Sequence, residues 1–228
     1  MAEKVDFKIS QRELYQPSRE PGIIDVPKML FLQVEGQGDP NQEDGEYKSA
    51  VEILYALTFT IKMSSKGSKA IPGYFEYTVP PLEGLWWLAD DKDMDFFNNK
   101  ERYRWISLIR QPEFVTEDVL DWAKDEVRRK KPGVHAEKAR LISFAEGLCV
   151  QAMHIGPYDK EPETLARMDS FMLLSGLESN IGTPLVNGPD NGMLRRHHEI
   201  YLSDPRKSKP ESRKTVLRHP VIRRGEQK

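Results

Sequence analysis

Residues 28–40 read KMLFLQVEGQGDP, and residues 148–156 read LCVQAMHIG. Both are apolar, β-favouring runs brought to a stop by glycine, Gly36 and Gly38 in one and Gly156 in the other. A helix follows each stop. Over 46–62, Tyr47, Val51, Leu54, Thr58 and Ile61 recur at steps of 4, 3, 4 and 3, on one helical face. Residues 161–175 form the second helix, with Pro162 tolerated in its first turn and Gly176 at its end. Further strands are predicted at 74–79, 85–89 and 103–109 in the first half, and at 197–202 and 215–218 in the second. Another helix spans 116–131: Thr116 suits its N-cap, Glu117 and Asp118 its positive end, and the basic residues 128–131 its negative end. Superposing Gly36 on Gly156 needs an offset of 120, and the identity it aligns is weak, so the repeat is one of pattern. The reading is an α+β fold of two strand–helix–strand–strand units with pseudo-twofold symmetry and a central ligand groove. An N-terminal arm is expected over 1–27, the domain over 28–220 (units at 28–131 and 146–220), and a tail over 221–228.

Composition narrows the function. A chain of 228 residues is one large domain or two small ones, long enough to bury a core without staples. Lys plus Arg is 34 against 36 for Asp plus Glu, a balance that argues against a dedicated nucleic-acid binder. The single cysteine, Cys149, excludes an internal disulfide framework and a cysteine-based zinc site, and its place in a strand suits a buried small residue. Neither a secretory leader nor a run of eighteen apolar residues is visible, so a soluble, cytoplasmic protein without membrane contact is expected. No metal or cofactor is predicted. His197 and His198 are strand neighbours that point apart, with no third ligand at a helpful spacing. Gly36-Gln37-Gly38 lacks the Lys-Ser/Thr ending of a phosphate loop. The basic stretch 206–214 and the acidic stretch 90–95 read as solvated loops.

The segments 28–40, 73–87 (GYFEYTVPPLEGLWW) and 197–206 (HHEIYLSDPR) resemble the GyrI-like small-molecule-binding family. The resemblance covers roughly 28–220 and implies tandem SHS2-type units with a ligand groove and a late-strand glutamate, here Glu199. Many relatives are effector domains joined to DNA-binding domains, for which this sequence shows no room before Lys28. The LEGLWW-like segment is similar to the stand-alone branch that hydrolyses cyclopropane-bearing DNA-alkylating natural products held in an aromatic cage, a protective xenobiotic hydrolase activity. Sequestering or sensing of drugs without turnover, and a protein-interaction module, stay open beside it.

Strand parity bears on Glu199 independently. In HHEIYL, Ile200 and Leu202 share one face, and His197, Glu199 and Tyr201 share the other. Glu199 and Tyr201 are the candidate catalytic pair: the carboxylate to orient or deprotonate water, the phenol to donate to a carbonyl. Trp87, Trp105, Tyr103, Tyr77 and Phe75 are the candidate walls for a planar, hydrophobic aromatic ligand. Trp86 and Trp87 are adjacent in an extended run, so at most one faces the ligand, and the sequence leaves the choice open.

Overall fold

The computed structural model describes residues 4–67, 69–88, 99–185 and 193–225; the predicted acidic loop at 90–95 lies outside them. In chain order the elements are α1 (Phe7–Ser10), α2 (Arg12–Tyr15), β1 (Gly22–Gln37), α3 (Glu46–Lys62), β2 (Leu82–Leu88), β3 (Tyr103–Gln111), α4 (Glu117–Lys130), β4 (Arg140–Ile155), α5 (Glu161–Leu174), β5 (Leu177–Ser179), β6 (His197–Tyr201) and β7 (Lys214–Arg223). The fold is mixed α+β, with antiparallel strand pairing. Among the described residues no helix is long and apolar enough to cross a membrane.

Two compact units share this chain. The first gathers Met1–Ser10, Leu30–Leu82 and Trp87–Ile142. There β1 pairs with β3, from Leu30 opposite Gln111 to Gln37 opposite Arg104. The amphipathic period read over 46–62 becomes α3, whose Leu54, Leu57 and Ile61 are fully buried. Thr116 caps α4 as its sequence suggested, its Oγ1 accepting from the Val119 N–H at 3.4 Å.

The second unit gathers Gln11–Met29, Glu83–Trp86 and Ser143–Lys228. Here β7 pairs antiparallel with β4, β6 and β5. The buried core joins Val150 and Ala152 of β4, Met168 and Met172 of α5, Leu177, and Leu217 and Val221 of β7. Taking this set out of water stabilises the unit by about 1.5–3 kcal/mol per large side chain.

The structure corrects three boundaries. Residues 74–79 are not a strand: Tyr77 makes one isolated parallel bridge with Val5. Their aromatic content serves packing instead, with Phe75 edge-on to Phe114 at 5.2 Å and Tyr77 to Phe114 at 6.0 Å. The segment expected as an arm supplies α1, α2 and the start of β1, and buries Phe7, Leu14, Tyr15 and Val26. β4 begins at Arg140, eight residues before the predicted 148, because its first half alternates buried and half-buried positions without an apolar run to mark it.

Candidate functional site

The second unit builds its site on β6, whose alternation sorts side chains as parity requires. Ile200 is 1% exposed and packs inward. On the other face, Glu199 accepts from the Tyr201 hydroxyl at 2.6 Å, and its other oxygen lies 3.0 Å from His197 Nε2. His197 Nδ1 in turn lies 2.7 Å from Nε2 of His219 on β7. Burial, with the nearby His197, holds His219 down to about 3, so that ring is neutral at ordinary pH.

Trp86 donates its indole N–H to the Tyr201 hydroxyl oxygen at 2.9 Å. Gly84, two residues earlier on the same strand face, makes room: a Cβ there would lie 2.5 Å from Trp86 Nε1 and 3.2 Å from the Tyr201 oxygen. Tyr158 lies edge-on to Tyr201 at 6.0 Å, and the Arg213 guanidinium lies over the Tyr158 ring, 5.4 Å from its centre. Burial pushes the Tyr158 phenol up to about 12.

Glu161 opens α5 and is 2% exposed. Its Oε1 is buried without a hydrogen-bond partner among the described residues. Burial, and after it the charge of Glu199, pushes its carboxyl well above the usual carboxylate range, which favours its protonated form. Glu161, His197 and Glu199 each bring one ligand atom within 4.8 Å of the others, a spacing that can hold a small cation. His198 takes no part, as strand parity required.

His198 instead anchors the opposite face. Its Nε2 lies 3.0 Å from Glu83 and its Nδ1 3.0 Å from Glu146, which also meets Arg218 at 3.0 Å. Arg218 further donates to Gln151 Oε1 and to the Leu14 carbonyl. Burial alone would lower His198, but Glu146 and Glu83 outweigh it and hold it up at about 9. Burial opposes the ionised Glu146, yet His198 and Arg218 hold it down at about 2.

Of the residues singled out in the sequence, Glu199 and Tyr201 are brought together by a direct hydrogen bond. Trp87, Trp105, Tyr103, Tyr77 and Phe75 belong to the first unit. Trp105 is 1% exposed, edge-on to Tyr47 at 5.2 Å, and its six-membered ring covers Gly36. Tyr77 and Tyr103 are buried, and Phe75 and Trp87 half-buried. The sequence does not point to Tyr158 or Glu161 as partners of the pair, whereas it leaves Trp86 open against Trp87 and puts His197 on the face of Glu199. Nothing local marks Glu161 beyond its place in a helix's first turn.

Residues 19–185 match the family model of the GyrI-like small molecule binding domain. A solved hydrolase from Listeria innocua shares 46% identity, covering 96% of this chain and 100% of its own, at a TM-score of 0.82. An uncharacterized conserved protein from the same organism shares 47% identity at the same coverage, with a TM-score of 0.85. No curated protein matches the chain. The chain belongs to the GyrI-like family.

Proposed function

We propose that this GyrI-like chain binds planar, hydrophobic aromatic molecules beside Glu199 and opens a cyclopropane ring in them by adding water, protecting the cell from alkylating xenobiotics. The observation that carries this reading is a buried carboxylate held between Tyr201 and His197, with the rings of Trp86 and Tyr158 around Tyr201. Ring faces and edges hold a flat ligand in register, and the fixed carboxylate oxygen aims a water at the strained carbon. The hydrolase from Listeria innocua, 46% identical, supports a hydrolytic rather than a purely sequestering role. The tandem, pseudo-symmetric arrangement of the units belongs to the same reading.

Incubation of the protein with a cyclopropane-fused conjugated ketone, followed by mass spectrometry, tests it. Many turnovers to a product heavier by one water are expected, and Glu199→Gln should slow them by about 100-fold or more. Stoichiometric capture without product would leave only a binding protein. Full turnover by Glu199→Gln would remove the carboxylate from the reaction.

A further inference from the structure

The arrangement around Glu199 creates a difficulty that its own neighbours cannot resolve. Opening a cyclopropane conjugated to a ketone moves an electron pair onto the ketone oxygen, and a donor must meet it there. Tyr201 is the obvious donor, but its one hydroxyl proton points at Glu199 Oε2 at 2.6 Å. The Trp86 N–H points at the Tyr201 oxygen. The face therefore needs another proton source.

We propose that Glu161 is the general acid of this site, giving its carboxyl proton to the substrate carbonyl while Glu199 takes one from water; this rests on the hydrolytic reading above. Three observations converge on it. One of its carboxyl oxygens lies within 4.8 Å of a ligand atom of His197 and of Glu199. Oε1 is buried and makes no hydrogen bond among the described residues, so its capacity is unspent where the other polar groups are engaged. Burial and the adjacent Glu199 both raise its carboxyl above the usual carboxylate range, so the protonated form is the one this setting favours.

The step balances. The water oxygen forms the new C–O bond as the strained C–C bond breaks, and the broken bond's electron pair passes through the conjugated system to the ketone oxygen. That oxygen takes the Glu161 proton, and Glu199 takes the proton lost by water. Glu199 then returns its proton to Glu161, leaving both carboxyls as they began and one water added overall. Tyr201 and His197 are positioning residues in this scheme, fixing where the Glu199 carboxyl points.

Steady-state hydrolysis of the cyclopropane-fused ketone by wild type, Glu161→Gln and Glu161→Asp decides the assignment. Glutamine is uncharged and nearly isosteric but has no acidic proton. It should lower kcat by about 100-fold or more with KM little changed, and aspartate should recover part of the rate. Equal kcat in wild type and Glu161→Gln overturns the proposal while leaving hydrolysis standing. A loss confined to KM also overturns it, since that is a binding role. A wild type that loses turnover to a chelator and regains it with an added divalent cation makes the three side chains ligands, and again overturns it. No turnover by wild type removes the hydrolytic reading and this assignment together. Should Glu161→Gln not fold, the infrared carboxyl region of wild type at neutral pH decides: a protonated-carboxyl band supports the proposal, and its absence defeats it.

Discussion

Both units lay a tryptophan over a glycine, and the two pairs do different work. In the first unit Trp105 covers Gly36, its partner across the β1–β3 ladder, and its Nε1 has no partner among the described residues. In the second, Trp86 covers Gly84 and spends its N–H on Tyr201. The surroundings follow the same division. Among the described residues, the charged residue buried in the first unit is Arg110, lying over the Phe7 ring, whereas the second buries Glu83, Glu146, Glu161, Glu199, His154, His197, His198 and Arg218. Ring carbon needs only a matching shape to be buried, and an unpartnered indole N–H adds a modest desolvation cost; a buried charge must be paired or neutralised. The first unit is thus built as packing and the second as a set of mutually compensating ionisable groups.

The largest test of that contrast is Arg218→Ala. It leaves Glu146 buried with one cation fewer, and should cost roughly 3–5 kcal/mol in urea unfolding. A cost below about 1 kcal/mol would mean the network is not needed to hold the second unit. Stability should also follow pH in a defined way. His198 sits at about 9 against an ordinary 6.5, so its contribution is complete below 6.5 and is lost as pH rises through 9. Glu146 sits at about 2 against an ordinary 4.5, so its contribution is complete above 4.5 and is lost as pH falls through 2. Melting temperature should therefore be flattest between those ordinary values, and Glu146→Gln should blunt both flanks.

The smallest and sharpest comparison is between the two glycines. Gly36→Ala would press a Cβ to 2.3 Å from the enclosed Trp105 ring and should cost about 1–3 kcal/mol, with ligand binding intact. Gly84→Ala would press on Trp86 Nε1 at 2.5 Å and should weaken aromatic-ligand affinity and turnover more than stability. Equal effects of both on both readouts would erase the distinction between the units.

Local features were legible because their causes are local. The period over 46–62 matches α3 end to end, and Thr116 caps α4, since turn geometry and a capping hydroxyl act within four residues. Parity on β6 placed Glu199 with Tyr201 and against Ile200 for the same reason. Composition misled at 74–79, where aromatic residues that favour strands pack on Phe114 instead of joining a ladder.

The sequence alone therefore determined α3, α4, α5 and the sidedness of β6, all properties of residues a few positions apart. Only the tertiary structure decided which tryptophan meets Tyr201, that Arg218 lies between Glu146 and Gln151, and that Glu161 comes within reach of Glu199. These pairs are 38 to 115 residues apart in the chain. Hydrogen bonds and charge compensation act over a few ångströms, and no periodicity records which distant residues folding brings that close.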